Sequence, residues 1–158
     1  MILVTVGTNE APFDRLLQAV AALSTSEEIV VQHGSSAIVP ANAARTYDFL
    51  LFDDLVREMR ASRVVVTHAG IGSIMTALSC GRRPVVAARL VANREAVDDH
   101  QLPVARRLQE AGLVTLVEDL ARLEDALAKA GEEVDVSLGA DERLVSELRE
   151  YVLAQTTG

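Results

Sequence analysis

Residues 63–73 read Arg-Val-Val-Val-Thr-His-Ala-Gly-Ile-Gly-Ser, and this stretch decides the fold. The β-branched run at residues 63–67 predicts a strand, and the glycines after it predict a tight turn into a helix over residues 72–80 with Gly81 as its C-cap. The free N–H groups of that helix N-terminus would face the space beyond the strand, where phosphate groups commonly bind. The plainer alternative is a simple strand-to-helix turn with Ser73 as the N-cap.

The rest of the chain repeats this alternation of apolar runs and helical patterns. Further strands are predicted over residues 2–6, 28–32, 46–52, 84–88 and 113–117. Further helices are predicted over residues 13–23, 53–61 (capped by Asp53 or Asp54), 98–111 (capped by Asp98 or Asp99), 119–130 and 141–153. About six strands that alternate with helices are typical of one α/β domain with a Rossmann-like, doubly wound parallel sheet.

Composition favours a single acidic domain that spans residues 1–158. The chain is 49% hydrophobic and only 3% aromatic, which suits a buried sheet rich in Val, Leu, Ala and Ile. The formal net charge of −8 argues against nucleic acid as a partner and against direct binding to anionic lipid.

Cys80 is alone, so no disulfide framework is expected. No run approaches the roughly 20 apolar residues of a membrane span, and we expect a cytoplasmic protein without a signal peptide.

The loops that follow the predicted strands contain all three histidines and most of the small polar residues. These loops cover residues 7–9, 33–36, 52–54, 68–73 and 89–101. The carboxyl ends of parallel strands meet at one edge of a sheet, and ligands of such sheets bind there. We therefore expect a polar, glycine-lined cleft at that edge.

Residues 68–73 match neither of the two common phosphate-binding loops. No Gly-Lys-Ser/Thr follows the glycines, and Met75 stands at the position of the third glycine of a dinucleotide fingerprint. His33, His68 and His100 lie in separate loops without a cysteine partner or an HxxxH spacing, so no metal site is expected. A Gly-x-Ser-x-Gly elbow is also absent from the sequence, which argues against a serine hydrolase.

Three motifs stand in order along the chain. They are Val4-Thr5-Val6-Gly7-Thr8 with Phe13-Asp14-Arg15-Leu16, then His68-Ala69-Gly70-Ile71-Gly72-Ser73, then Asp98-Asp99-His100-Gln101. Together they resemble the C-terminal domain of family 28 glycosyltransferases, and the resemblance extends from residue 1 to about residue 117. The chain is most similar to the small catalytic subunits of two-component enzymes. These include the subunit that adds the second N-acetylglucosamine to the dolichol-linked precursor, and bacterial exopolysaccharide subunits that transfer glucuronic acid or galactose.

The resemblance implies the fold of the C-terminal, donor-binding half of a B-type glycosyltransferase, together with a set of site residues. Gly7 and Thr8 would face the donor phosphates. The backbone of residues 52–55 would hold uracil, and residues 70–73 would cradle the diphosphate. The implied nucleotide-sugar-binding residues are Gly7, Thr8, Phe52, Asp53, Gly70, Ile71, Gly72, Ser73, Thr76, Asp99 and Gln101, and the implied catalytic residues are His68, Glu95 and His100.

Two of these implied roles involve alternatives. His68 would either brace the loop or approach the phosphates, whereas His100 and Gln101 would bind the sugar hydroxyls. Thr76 stands where many relatives carry a ribose-binding glutamate, so either another group such as Glu95 binds the ribose or donor binding is weaker.

The resemblance implies a donor-binding catalytic subunit of an inverting, metal-independent transferase. It would move a sugar from a UDP-sugar to a lipid-linked acceptor in polysaccharide or glycoconjugate synthesis, with no cofactor besides that donor substrate. A membrane-anchored partner subunit would bind the acceptor and recruit this chain to the inner face of the membrane. The general base would lie either on this chain or on that partner. The helix over residues 141–153 either docks on that partner or packs on its own domain. The alternatives are a nucleotide-sugar-binding module without transferase activity, and a nucleotide-sugar epimerase or hydrolase.

Overall fold

The computed structural model describes residues 1–131 and contains one parallel sheet with helices on both faces. The strands are β1 (Ile2–Thr5), β2 (Ile29–Gln32), β3 (Arg45–Tyr47), β4 (Val64–His68), β5 (Val85–Ala87) and β6 (Thr115–Leu116). The helices are α1 (Asp14–Ala21), α2 (Phe52–Ala61), α3 (Ile71–Ser79), α4 (Gln101–Glu110) and α5 (Leu123–Lys129), with 3₁₀ turns at Val91–Asn93 and Leu120–Arg122. The predicted α/β class with a doubly wound parallel sheet is confirmed.

The order of the strands places a reversal point between β1 and β4. Along the sheet the order is β3-β2-β1-β4-β5-β6, so the first three strands build outward from β1 in one direction and the last three in the other. Thr5 pairs with Gln32 on one side and with Thr67 on the other. Polar residues therefore meet near the carboxyl ends of three neighbouring strands, where doubly wound sheets bind their ligands.

Alternation along β1 divides its side chains between two cores. Ile2 and Val4 pack on the face covered by α1 and α5, together with the fully buried ring of Phe13. Leu3 points to the opposite face and packs in a cluster with Met59 of α2. Both faces of the sheet are dry, which explains why its central strands are continuously apolar.

The third strand is shorter than the sequence predicts. A strand is expected over residues 46–52, but β3 ends at Tyr47 and α2 already begins at Phe52. β2 itself ends at Gln32, and Gly34, with φ of +55°, bends the chain away from the line of that strand. The N–H of Gly34 still donates to the carbonyl of Asp48 at 2.9 Å, but residues 49–51 beyond it lie outside the sheet.

The caps of α2 and α3 also differ from the predictions. Leu51 is the N-cap of α2, so Asp53 and Asp54 lie inside the first turn. Their carboxylates interact favourably with the helix dipole there but do not cap the helix. Gly70 is the N-cap of α3, so Ser73 lies in the first turn and is not the cap. The alternative in which Ser73 is the N-cap of this helix is therefore wrong.

The helix predicted from Asp98 begins three residues later, at Gln101. The Asp99 carboxylate accepts a hydrogen bond from the N–H of Val91 at 2.8 Å, and the Asp98 carboxylate accepts one from the N–H of His100 at 3.1 Å. Neither aspartate caps α4, because each binds an N–H group of the preceding loop instead.

The C-terminal part of the described chain is also divided differently. Residues 119–130 form the second 3₁₀ turn and α5 rather than one helix, and the Asp119 carboxylate caps that turn by accepting from the N–H of Ala121 at 3.0 Å. The helix predicted over residues 141–153 lies outside the described residues. Within residues 1–131, no helix is long and apolar enough to cross a membrane.

Candidate functional site

An open cleft of about 590 Å³ lies at the carboxyl ends of β1, β2 and β4. It occupies the reversal point of the sheet, where the fold is expected to bind a ligand, and its volume is in the range of small-molecule sites. The predicted site residues in its walls are Gly7, Thr8, Phe52, His68, Gly72 and Ser73, and the other wall residues are Thr5, Asn9, Gln32, Leu50 and Leu55. The structure thus brings residues of the three predicted segments, 7–8, 52–55 and 70–73, to one cleft, although Gly70 and Ile71 are not among its wall residues.

The imidazole of His68 fits between two glycines. A Cβ built on Gly7 would lie 2.8 Å from His68 Nε2, and a Cβ built on Gly70 would lie 2.8 Å from His68 Cδ2. Both distances are shorter than a carbon contact allows, so only glycine leaves room for the ring at either position. Gly7 also has φ of +78°, a conformation that favours glycine.

His68 is neutral at physiological pH. Desolvation by the surrounding protein, with a smaller effect from the charge of Arg89, lowers the pKa of His68 from 6.5 to about 4. Its Nδ1 lies 3.3 Å from the hydroxyl of Thr67. A neutral imidazole donates at one ring nitrogen and accepts at the other, so His68 offers the cleft a hydrogen bond rather than a charge.

The N-terminus of α3 also contributes to the cleft. Its first hydrogen bond runs from the N–H of Ile74 to the carbonyl of Gly70 at 3.1 Å, so the N–H groups of residues 71–73 precede the bonded part of the helix. A Cβ on Gly72 would meet no protein atom within 4 Å, which leaves open space above these groups. The N–H groups and the helix dipole together suit an anion such as phosphate.

Apolar side chains form another wall of the same cleft. Leu50 and Leu55 flank Phe52, which is 66% exposed at the start of α2. An exposed aromatic ring beside an anion site suits a ligand with a flat, partly apolar end. Asp53 follows Phe52 in the chain but is exposed on α2 and is absent from the walls of the cleft.

Three other predicted residues lie at the start of α4, outside the walls of the cleft. The side-chain oxygen of Gln101 accepts a hydrogen bond from the backbone N–H of Arg89 at 3.1 Å. The His100 side chain is 59% exposed, with Nδ1 3.1 Å from a carboxylate oxygen of Asp98. Asp99 is bonded to the preceding 3₁₀ turn. These residues form a second polar group rather than part of the cleft itself.

Glu95 is buried in an ion pair. Its carboxylate is 2.9 Å from Nε and 3.0 Å from Nη2 of Arg15, and it also accepts a hydrogen bond from the N–H of Leu90 at 3.0 Å. Both oxygens are engaged by protein groups. Glu95 therefore joins α1 to the loop after β5 and does not line the cleft.

Thr76 lies one turn along α3 from Gly72. Its hydroxyl donates a hydrogen bond to the carbonyl of Gly72 at 2.7 Å. The side chain is thus engaged with the backbone of its own helix and is absent from the walls of the cleft.

The sequence did not indicate Arg89, which is fully buried beside the cleft. Its guanidinium group donates to the carbonyl of Val6 at 2.7 Å and stacks 4.9 Å from the centroid of the Phe13 ring. Burial lowers the pKa of Arg89, and the nearby charge of Glu95 partly opposes that shift. An arginine that directly follows a buried strand was the available signal, because a cation there must find partners inside the protein.

Thr5 and Gln32, which lie in the walls of the cleft, were also missed in the sequence analysis. Each is the last residue of a buried strand. The Thr5 hydroxyl accepts a hydrogen bond from the N–H of Gly7 at 3.2 Å. The side-chain oxygen of Gln32 is buried and has no hydrogen-bond partner within residues 1–131. A polar residue at the end of an apolar strand is the sequence signal that would have found them.

Comparisons with known proteins give both sequence and structural relatives. The family model for the "Glycosyltransferase family 28 C-terminal domain" matches residues 1–144. The chain is 30% identical over 123 residues to the "UDP-N-acetylglucosamine transferase subunit ALG13" of Homo sapiens, covering 70% of this chain and 10% of that protein. It is 43% identical over 56 residues to the protein of the same name in Yarrowia lipolytica, covering 35% of this chain and 26% of that protein. The chain thus spans between a tenth and about a quarter of these relatives.

A solved structure shares the fold at low sequence identity. CalG4, the calicheamicin glycosyltransferase, superimposes with a TM-score of 0.60 at 19% identity, over 94% of this chain and 37% of that one. The described sheet therefore has the architecture of a little over a third of that larger chain.

Proposed function

Because the chain belongs to the glycosyltransferase family 28 C-terminal domain family and has the Rossmann-like fold of B-type glycosyltransferases, we propose that it binds the UDP-sugar donor of a glycosyl transfer. The observation that carries this proposal is the cleft itself. An anion site at the start of α3 and an exposed aromatic wall at the start of α2 border one open space. A nucleoside diphosphate has the two matching ends.

The diphosphate would lie over the N-terminus of α3. The N–H groups of residues 71–73 would donate to phosphate oxygens, and the open space above Gly72 would admit them. Gly7 and Thr8 would close the site from the first loop, and neutral His68 would add a hydrogen bond without a second charge. Uracil would lie against the wall formed by Phe52.

The sugar would extend toward the start of α4. The side-chain oxygen of Gln101 is bonded to Arg89, so its NH₂ group remains as the donor to a sugar hydroxyl. The exposed ring of His100 is the second candidate contact. Glu95 would act through its ion pair with Arg15, by fixing the loop that precedes these residues.

The chemistry would be an inverting transfer without a metal ion. An acceptor hydroxyl would attack the anomeric carbon and give its proton to a general base. As the bond between that carbon and the β-phosphate oxygen breaks, negative charge grows on the leaving UDP. The N–H groups of α3 and the helix dipole would bind that charge more strongly in the transition state than in the ground state. The general base would come from a membrane-anchored partner subunit that also binds a lipid-linked acceptor, and this partner would recruit the chain to the cytoplasmic face of the membrane.

The relatives favour one donor sugar for the first test. Both curated relatives described above are UDP-N-acetylglucosamine transferase subunits by name. Glucuronic acid and galactose, which a role in exopolysaccharide synthesis would require, have no such support.

The decisive experiment is calorimetric titration of the purified chain with UDP, GDP, UDP-N-acetylglucosamine, UDP-glucuronic acid and UDP-galactose. We expect UDP to bind at least tenfold more tightly than GDP, and one UDP-sugar to bind more tightly than the other two. Equal affinity for UDP and GDP would refute the uracil site. Absence of UDP binding would refute the proposed function as a whole.

A further inference from the structure

The most unusual buried group of the described chain is the Arg89 side chain, with no exposed surface. It donates from Nη2 to the carbonyl of Val6 at 2.7 Å, and from Nη1 to the carbonyls of Ala11 at 2.8 Å and Glu95 at 3.1 Å. The guanidinium therefore connects the end of β1 and the first loop to the loop after β5. Its Nε has no hydrogen-bond partner within residues 1–131.

Among residues 1–131, no carboxylate forms a hydrogen bond with the Arg89 guanidinium. The nearby carboxylate of Glu95 binds both Nε and Nη2 of Arg15, whereas Arg89 contacts only the Glu95 backbone carbonyl. Arg15 and Arg89 also lie over the same ring, that of Phe13, at 5.4 and 4.9 Å. Within residues 1–131, the hydrogen-bond partners of Arg89 are thus backbone carbonyls, and its charge is buried in a chain whose formal net charge is −8.

Arg89 lies next to a wall of the cleft. Val6, whose carbonyl binds Arg89, precedes Gly7, and Gly7 packs on the ring of His68. The field of Arg89 reaches this wall, because it contributes to the lowered pKa of His68. Burial of a cation is unfavourable unless nearby groups compensate the charge, and backbone carbonyl dipoles are the direct partners of Arg89. An anion bound in the cleft would add to that compensation.

We propose that Arg89 is a positioning residue for the donor diphosphate, whose buried charge attracts the phosphates through the wall formed by Gly7 and His68 without touching them. This inference rests on the proposed function, since it assigns Arg89 to the diphosphate part of that ligand. It separates Arg89 from a residue that merely supports the first loop. A supporting residue would affect every ligand of the cleft equally, whereas a buried charge affects ligands in proportion to their phosphate charge.

The test compares uridine and UDP on the same protein by NMR titration of the amide signals. The measured quantity is the ratio of the Kd for uridine to the Kd for UDP. Arg89→Met removes the charge, and we expect its ratio to fall about tenfold, with uridine affinity changed less than twofold. Arg89→Lys keeps the charge and should retain most of the ratio. Arg106→Gln removes one positive charge from the exposed pair with Glu118 and should leave the ratio unchanged.

A second variant makes the opposite prediction and does not depend on the folding of Arg89→Met. Glu95→Gln removes a negative charge near Arg89 while keeping an oxygen that can accept a hydrogen bond, so the ratio should rise. An unchanged or lower ratio in Glu95→Gln, or equal losses for uridine and UDP in Arg89→Met, would overturn the inference. If the wild-type protein does not prefer UDP to uridine, the proposed function itself fails, and the two failures are therefore distinguishable.

Discussion

Gly7 packs directly against the imidazole of His68, although the two residues are far apart in sequence. The His68 ring occupies the space that a side chain at position 7 would need. A Cβ on Gly7 would lie 2.9 Å from His68 Nδ1 and 2.8 Å from Nε2. The first loop of the sheet can therefore approach β4 only because residue 7 has no side chain. This approach brings the first loop and the N-terminus of α3 to the same cleft.

Replacement of Gly7 tests this contact, and Gly81 supplies a matched control. Both glycines have positive φ, +78° and +74°, but a Cβ on Gly81 would meet no atom within 4 Å. Gly81→Ala should cost about 1–2 kcal/mol of unfolding free energy from backbone strain alone. Gly7→Ala should cost about 1–3 kcal/mol more, because the His68 ring must move. Urea denaturation measures both, and equal losses would contradict the contact.

Acid stability tests the state of His68. Its pKa is lowered from 6.5 to about 4 in the folded protein, so between these values the unfolded chain binds a proton that the folded chain does not. Stability therefore falls as the pH drops from 6.5 toward 4, and this single group accounts for a loss of about 2 kcal/mol by pH 5. His68→Asn cannot titrate, so its unfolding free energy should fall less than that of the wild type between pH 7.5 and pH 5. Parallel pH profiles of the two proteins would exclude a lowered pKa.

Replacement of Gly72 should change UDP affinity without destabilising the fold. The site is open, so Gly72→Leu should not strain the fold, and loss of a helical glycine stabilises the chain by up to about 1 kcal/mol. The new side chain would fill the space proposed for the diphosphate, so UDP affinity should fall at least tenfold. Ser79→Leu places the same side chain at the other end of α3, on an exposed position, and should leave UDP affinity unchanged. Calorimetry with a thermal melt records both quantities, and unchanged UDP affinity in Gly72→Leu would contradict the placement.

The ion pair of Glu95 with Arg15 should matter more for stability than the exposed pair of Glu118 with Arg106. Glu95 is 3% exposed and binds Arg15 through both oxygens, so Glu95→Ala leaves a partly buried guanidinium without its carboxylate and should cost about 2–3 kcal/mol. Glu118→Ala should cost much less, because both members of its pair are exposed to solvent. Denaturant melts measure the difference. In Glu95→Ala, hydrogen exchange should also increase at the N–H of Leu90, which binds the Glu95 carboxylate. Similar losses of unfolding free energy in the two variants would contradict a structural role for Glu95.

The sequence by itself determined the layers of this protein and one half of its site. Apolar runs that alternate with helical patterns predict a parallel sheet, because the spacing of apolar residues within each segment indicates whether it forms a strand or a helix. The turn at residues 68–73 is equally local, since a strand, two glycines and a helix follow one another in the chain. The predicted cleft residues Gly7, Phe52, His68 and Gly72 meet because parallel strands end at one edge.

Only the tertiary structure decided which polar residues face that cleft and which support it. Glu95 is a polar loop residue of the kind that binds ligands, but it pairs with Arg15, 80 positions away. The packing of α1 on the sheet determines that partner. The position of Arg89 after a buried strand signals that its charge needs internal partners, but the sequence does not identify those partners, which include carbonyls of the first loop. The end of β3 likewise depends on where β2 turns away. Local patterns specify the elements, whereas burial and pairing of charges depend on contacts between segments distant in the chain.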